Sequence, residues 1–353
     1  MVHICFIALE YFEWGRYGGI GKATRDIASE IVKRNIDVSV VVPLGFGQKK
    51  YENIEGVNVY GYPLSKYPLI GGLFKKIGAD IYHSQDPTPG TWLALKHSPH
   101  SKHLLTCQNP RTGQDWVHVN QYYPFRRKIY NKYIEPVVND CVKQLDRVYC
   151  QARYTINKAR QIFNLDYDPV FLPNPVCVPE KYPEKSDIPT VLFLGRFDKE
   201  KKPEVFMNMA EYFPDVRFIA AGASHDKGYD YFLRTKYSQC ANLVLPGFVE
   251  GNEKIRLLNE AWILVNTSIS ECLPVSFLEA AAYGCSILSP HDPDDFTSSF
   301  GEKVPLKELV NGLSRLLDNE WRKKGEKGYR YVKKYHEKNR VIEQHLNEYD
   351  NIL

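Results

Sequence analysis

The sequence predicts an α/β protein of two doubly wound domains in tandem, facing each other across a cleft. Three observations lead there. Short apolar runs rich in Val, Ile and Phe alternate with stretches of helical period, and this series occurs twice along the chain. Most of these runs are apolar throughout, as expected for parallel strands covered by helices on both faces. Between the two series lies a proline-dense stretch, with Pro169, Pro173, Pro175, Pro179, Pro183 and Pro189, that breaks regular structure and marks a hinge or linker. The length of 353 residues agrees, because single cores stop growing at about 250–300 residues. In tandem open sheets, ligands sit outside the carboxyl ends of the strands, hence the expected cleft.

The first series of predicted strands is Val2 to Leu9, Asp37 to Pro43, Val57 to Tyr62, Asp80 to Gln85, Lys102 to Cys107 and Arg147 to Ala152. Between the first two, Ile20, Ala23, Ile27, Ala28, Ile31 and Val32 recur at helical spacing. The second series is Thr190 to Phe197, Val216 to Gly222, Asn242 to Phe248, Ala261 to Thr267 and Cys285 to Ser289. The tail from Leu306 reads as helical and highly charged. The predicted division falls between residues 1–173 and residues 174–334.

Composition narrows the function. A net charge of +4 is too small and too dispersed for a nucleic-acid binder, so none is expected. One segment, 122–160, is locally basic. Arg126, Arg127, Lys128, Lys132 and Lys143 there interleave with Tyr122, Tyr123, Phe125, Tyr130 and Tyr133. It reads either as a solvated helical face packed on its domain or as a contact with an anionic membrane surface. The eight cysteines form no CxxC pair and no zinc spacing with histidine, and most sit in apolar runs. A reducing, cytoplasmic location is expected, with the inner membrane face as a peripheral address. The first apolar run lacks a positive flank and ends at Glu10, so it reads as a strand and not a signal peptide.

Four segments carry chemistry. The first is Ser268-Ile-Ser-Glu271-Cys-Leu-Pro274-Val-Ser-Phe-Leu-Glu279-Ala-Ala-Ala-Tyr-Gly284. Pro274 suits a first helical turn and Gly284 a C-terminal cap. Glu271 then stands at the helix mouth, and Glu279 lies about 7.5 Å along the axis. Carboxylates accept from sugar or ribose hydroxyls, and the unpartnered amides of a first turn donate to oxygens. The second is Gly195-Arg196-Phe-Asp-Lys-Glu-Lys201-Lys202-Pro203. Here an Arg fork and a Lys point charge suit a diphosphate that gains charge as it leaves. Lys202 competes with Lys201 for the second role.

The third segment is Trp14-Gly-Arg-Tyr-Gly18-Gly19-Ile-Gly21, between a strand and a helix, where glycines let amides approach a phosphate. It has no clean GxGxxG, and no acid ends the next strand, which argues against a dinucleotide site. The fourth is Asp80-Ile-Tyr-His83-Ser-Gln85-Asp86, and Asn109 and Arg111 end the next strand at the same edge.

Together these segments resemble the retaining GT-B glycosyltransferases of the large group-one family, marked by E-x7-E. The resemblance covers nearly the whole chain. It implies two Rossmann-like domains, with a last helix, residues 335–353, crossing back to the first. It implies that Glu271 lies at the donor sugar, that Cys272, Leu273 and Pro274 hold sugar hydroxyls, and that Glu279 binds the ribose. Arg196 and Lys201 match the family's Gly-Arg and Lys signature at the donor diphosphate. Gly18 and Gly19 match its phosphate-side glycine pair. Pro246-Gly-Phe248-Val249 resembles the loop that brackets the base.

His83, Gln85, Asn109 and Arg111 fall on the acceptor side, and Arg111 suits an anionic acceptor such as a lipid phosphate. One departure from the family is a shortened, Asp-rich loop from Pro290 to Pro305, where a Gly-rich stretch with a further acid is usual, and two more lie among the site residues. Cys272-Leu273-Pro274 replaces the usual Gly-Phe-Gly. Gln85 replaces a second His and can orient a hydroxyl but cannot take its proton. The implied activity is transfer from a nucleoside-diphosphate sugar to a sugar, lipid-linked or other hydroxyl acceptor. Retention is expected, with no metal and no cofactor. The rival readings are a nucleotide-sugar epimerase, for which His83 is the only candidate base, and a degenerate binder of nucleotide sugar.

Overall fold

A computed structural model of the chain describes residues 2–11, 18–45, 47–63, 69–119, 121 and 125–353. Trp14 to Tyr17 of the glycine-rich segment lie outside the described residues, as do Tyr122, Tyr123 and the side chains of Arg126 and Arg127. The chain forms two compact units, Met1–Pro175 with Asn339–Leu353, and Val176–Lys338.

The first unit is built on an eight-stranded sheet. Its strands are β1 (His3–Ile7), β2 (Asp37–Pro43), β3 (Tyr51–Ile54), β4 (Val57–Tyr62), β5 (Ile81–Gln85), β6 (Lys102–Cys107), β7 (Arg147–Cys150) and β8 (Val170–Phe171). The spatial order is β3-β4-β2-β1-β5-β6-β7-β8. Winding starts at β1, which pairs in parallel with β2 and β5, so the chain runs outward in both directions from a switch point between β1 and β5. Ile4, Phe6, Val38, Val40 and Ile81 are buried because helices cover the sheet. The amphipathic Gly19–Val32 helix presents Ile27, Ala28 and Ile31 to that core. The final helix, Lys338–Asp350, adds Ile342 and Tyr349 to the same core, and Tyr149 donates to Glu348 at 3.0 Å.

The sheet differs from the expected parallel set in two places. Tyr51–Ile54 pairs antiparallel with β4 through a two-residue turn in which Glu55 and Gly56 both have positive φ. β3 escapes a sequence reading because it is a four-residue edge strand, Tyr-Glu-Asn-Ile, too short and too mixed to show as an apolar run. The proline-dense stretch is also not plain linker. Val170 and Phe171 pair with Tyr149 and Cys150 as the other edge strand, a position where a preceding proline costs no ladder hydrogen bond.

The second unit carries a six-stranded, all-parallel sheet: β9 (Thr190–Leu194), β10 (Arg217–Ala221), β11 (Leu243–Gly247), β12 (Ile263–Val265), β13 (Ser286–Ser289) and β14 (Gly301–Lys303). Its order is β11-β10-β9-β12-β13-β14, which puts the switch point between β9 and β12. Phe193, Phe197, Phe206 and Phe218 fill one face of the sheet. On the same core Trp262 stacks on Trp321 with ring centroids 4.3 Å apart. Gly222 is required at the end of β10, since a Cβ there would lie 1.9 Å from the carbonyl oxygen of Gly195. This close approach draws the loops that follow β9 and β10 together.

Candidate active site

The switch point of the second sheet brings the first two chemistry-bearing segments together. β9 and β12 are neighbours, with Leu264 opposite Leu192, so the loops that follow them leave side by side. They are tied to each other. Thr267 Oγ1 donates to the carbonyls of Lys201 at 2.7 Å and Lys202 at 2.9 Å, and Ile269 N donates to Glu200 O at 2.9 Å. Lys202 takes a left-handed conformation, φ 46°, and starts the Pro203–Met209 helix.

Glu271 is held at this junction. Lys201 Nζ at 2.6 Å, Ser268 Oγ at 2.5 Å and Asn266 Nδ2 at 3.0 Å all donate to its Oε1. Ser268 N in turn donates to Asn266 Oδ1 at 3.1 Å, and the His291 ring nitrogen Nε2 meets the Ser268 carbonyl at 2.8 Å. The Glu271 side chain is 10% exposed. Burial alone would raise its carboxyl, but the Lys201 ammonium and the donors from Lys201, Ser268 and Asn266 outweigh burial and hold it below the ordinary glutamate range. The carboxylate is therefore ionised and its orientation fixed. Lys201, not Lys202, is the lysine joined to Glu271.

The Val275–Ala282 helix starts one residue later than expected, with Pro274 as its extended N-cap, and Gly284, φ 72°, lies just past its end. Pro274 offers no side-chain cap and, as proline, no N–H. The expectation that it holds a sugar hydroxyl through its amide is thereby corrected. The amide donors of this turn come from its neighbours. Cys272 and Leu273 are buried beside it. Glu279 lies within the helix and is 8% exposed, and its Oε1 pairs with Lys254 Nζ at 2.7 Å. Lys254 belongs to the Gly251–Glu260 helix, directly after the Pro246–Val249 loop. In that loop Phe248 is 53% exposed and Val249 is buried. Arg234 braces it by donating to Leu245 O at 3.0 Å, and Gly222 N reaches Gly247 O at 2.8 Å. Arg196 stands 37% exposed after β9, with Nε 3.1 Å from Asp198 Oδ2.

The first unit places its predicted residues differently. Gly18 is the N-cap of the Gly19–Val32 helix, and Gly21 N donates to Glu10 Oε1 at 3.4 Å. A carboxylate of this chain thus sits at the helix start, where a phosphate is expected.

His83 is fully buried. Its Nδ1 meets Tyr349 Oη and its Nε2 meets Thr106 Oγ1, both at 2.8 Å. Burial, then the neighbouring His345, pushes its pKa far down, so the ring is neutral. This corrects its expected place on the acceptor side, because a sealed ring with both nitrogens engaged cannot reach a substrate.

Gln85, the last residue of β5, joins a buried amide cluster. Gln108 Nε2 donates to Gln85 Oε1 at 2.9 Å and to Asn174 Oδ1 at 3.2 Å, and Asn174 Nδ2 returns a bond to Gln108 Oε1 at 2.9 Å. Gln151 Nε2 donates to Gln108 O at 3.1 Å. Nε2 of Gln85 has no acceptor among the described residues. Asn109 N donates to Asp86 Oδ1 at 3.2 Å, and the Arg111 guanidinium lies 4.9 Å over the Trp116 ring.

Sequence reasoning missed Asn266, His291 and Lys254 in the second unit and Gln151 and Asn174 in the first, and it gave no role to Ser268 or Gln108, which lie in segments it singled out. A signal existed for some of them. Gln108 and Gln151 each follow directly on an apolar strand, the position that faces a ligand edge. Lys254, in a charged helix, carries none.

Comparison with known proteins bears on the family and the fold. The model of Glycosyltransferase Family 4 matches residues 17–178, and that of Glycosyl transferases group 1 matches residues 178–293. An uncharacterized glycosyltransferase of Methanocaldococcus jannaschii is 24% identical over 330 residues, 84% of this chain and 80% of its own. The alpha-galactosylglucosyldiacylglycerol synthase of Streptococcus pneumoniae is 28% identical over 102 residues, so the match spans 28% of this chain and only 27% of that enzyme. Among solved structures, sucrose-phosphate synthase from Thermosynechococcus elongatus superposes with a TM-score of 0.77 at 15% identity, over 100% of this chain and 99% of that one. Anabaena HepE, solved in complex with UDP-glucose, gives 0.75 at 13% identity over 99% and 100%. With matches to glycosyltransferase families in both halves and a fold shared along its length, this chain belongs to the group-one glycosyltransferases of GT-B architecture.

Proposed function

We propose that the protein transfers a glycosyl group from a nucleoside-diphosphate sugar to a sugar, lipid-linked or other hydroxyl acceptor, with retention and without a metal ion. The observation that carries this reading is the convergence of Lys201, Ser268 and Asn266 on Glu271 at the switch point of the second sheet. An ionised, oriented carboxylate beside a cationic loop suits a donor whose sugar is neutral and whose leaving group is anionic.

In this reading Glu271 accepts from a donor-sugar hydroxyl, and the amides around Cys272 and Leu273 donate to the sugar's oxygens. Glu279 accepts from the ribose in exchange for part of its pairing with Lys254. Phe248 and Val249 border the base. Arg196, and Lys201 while it stays paired with Glu271, stabilise the diphosphate as it departs. Gly18 and Gly19 offer a phosphate oxygen the start of the Gly19–Val32 helix, where Gly21 N now donates to Glu10.

The bond from the anomeric carbon to the diphosphate oxygen breaks, and the bond to the acceptor oxygen forms on the same face. The acceptor's proton passes to the leaving phosphate. No protein base is then needed, which fits the sealed state of His83. Asn109 and Arg111 orient the acceptor, and Gln85, which is buried, acts through the amide cluster it shares with Gln108 and Asn174. The epimerase reading loses its only candidate base in the same stroke. The eight free cysteines fit a reducing, cytoplasmic setting.

The test is release of nucleoside diphosphate from UDP-, GDP- and ADP-sugars in the presence of a panel of hydroxyl acceptors. Turnover is expected on one donor class, unchanged by EDTA, with the product keeping the donor's anomeric configuration. Loss of turnover on chelation with recovery on adding metal would contradict the mechanism. Tight donor binding with no turnover on any acceptor would mean a degenerate binder.

A further inference from the structure

The segment from Phe125 to Cys141 exposes an apolar and basic face that donor chemistry does not use. The Phe125–Tyr133 helix continues into the Glu135–Cys141 helix, since Ile134 N donates to Tyr130 O and Val138 N to Ile134 O. Val138, Cys141 and Val142 are buried and anchor the inner side. On the outer side Phe125, Ile129, Tyr133 and Val137 are 75%, 43%, 62% and 59% exposed. A spacing of four residues advances about 40° around a helix, so these side chains form one oblique stripe. Val117, in the Gly113–Val119 helix, is 75% exposed, and its neighbour Trp116 donates to Glu135 at 3.1 Å, which ties that helix to the same segment. Scattered single apolar residues on a surface need no explanation, whereas a contiguous stripe marks an interaction site.

The charges select the partner. Lys128 and Lys132 are exposed along the stripe, and neither has an acidic partner among the described residues. Nearby acids are already engaged: Asp140 with Lys143 at 3.3 Å, Asp115 with Lys158 at 2.7 Å, and Glu135 with Trp116. A second copy docking through the same two-fold face would set these lysines against their own kind. An anionic lipid surface complements them, and a Tyr or Phe ring suits the headgroup boundary. No helix among the described residues is long and apolar enough to cross a membrane.

We infer that this face docks on an anionic lipid bilayer, with Phe125, Ile129, Tyr133 and Val137 at the acyl boundary and Lys128 and Lys132 at the lipid phosphates. The contact brings the first unit to acceptors that reside in a membrane. It does not depend on the donor-site reading.

Co-sedimentation with vesicles of phosphatidylcholine, alone or mixed with phosphatidylglycerol, tests it. The wild-type chain is expected to pellet with the mixed vesicles at low salt and to stay in solution with the neutral ones. K128A/K132A should weaken partitioning by roughly 30-fold, and F125S/Y133S should abolish it. All four positions are exposed, so an unchanged melting temperature separates lost docking from lost folding. Failure of the wild type to pellet on anionic vesicles would overturn the inference, as would equal pelleting of wild type and both variants. A dimer in solution that F125S/Y133S dissociates, without vesicle binding, would overturn it by assigning the stripe to a second copy.

Discussion

Replacing Glu271 by glutamine is expected to lower donor turnover by about 10²–10³-fold, the scale seen when one preorganised electrostatic contact to a transition state is removed. Glutamine keeps the shape and can still accept from Ser268 and Asn266. What it removes is the negative charge that Lys201 sustains below the ordinary glutamate range. In the proposed reaction that charge faces a sugar ring that becomes positive as its bond to the diphosphate breaks. The loss should therefore fall on kcat more than on KM. Lys201, deprived of its counter-ion, remains 24% exposed and can reach solvent, so the variant should fold. Equal turnover in Glu271→Gln and wild type would remove Glu271 from the reaction.

Replacing Arg196 by alanine is expected to have an effect of similar size, about 10²-fold or more in kcat/KM, for a different reason. In the proposed reaction the guanidinium presents a planar fork to phosphate oxygens, and the charge it meets grows along the reaction coordinate. Arg196→Lys should recover part of the rate, since it restores the charge without the fork. Stability should hardly change. The Arg196–Asp198 pair is about one-third exposed on both sides, and pairs of that kind contribute roughly 0–1 kcal/mol. A variant whose melting temperature fell in step with its turnover would point to a structural role. A variant with full turnover would leave the diphosphate to Lys201 alone.

Much of the second unit could be read directly from the chain, for a physical reason. Its strands are parallel and mostly buried on both faces, so β9, β10, β12 and β13 appear as apolar runs. The helix that follows Glu271 announces both ends, at Pro274 and at Gly284. Residues close in sequence to those signals, Glu271 and Glu279, were therefore visible as a pair. Their partners were not. Lys201 meets Glu271 across seventy positions because β9 and β12 are neighbours in the sheet although not in the chain. Lys254 meets Glu279 from a helix whose sequence is ordinary charged surface.

The first unit was harder to read because its polar residues are spent internally. His83 sits in an apolar strand, and only the return of the last helix, with Tyr349 and His345, shows that it is enclosed. The Gln85, Gln108 and Asn174 cluster closes only when β5, β6 and β8 come into one sheet. Glu10 at the start of the Gly19–Val32 helix is likewise invisible to a reading that sees only glycines there.

In the proposed reaction the Glu271–Glu279 region binds the donor. Thermal unfolding in the presence of UDP-, GDP- and ADP-sugars tests it most directly. A ligand at a hundredfold excess over its dissociation constant stabilises the folded state by about 2.7 kcal/mol. For units of this size that raises the melting temperature by roughly 5–10 °C. One class of nucleotide sugar should produce that shift in the wild-type chain. Glu279→Ala, measured against its own ligand-free baseline, should lose it. No shift with any of the donors, or the same shift in Glu279→Ala, would mean that this region does not bind the donor.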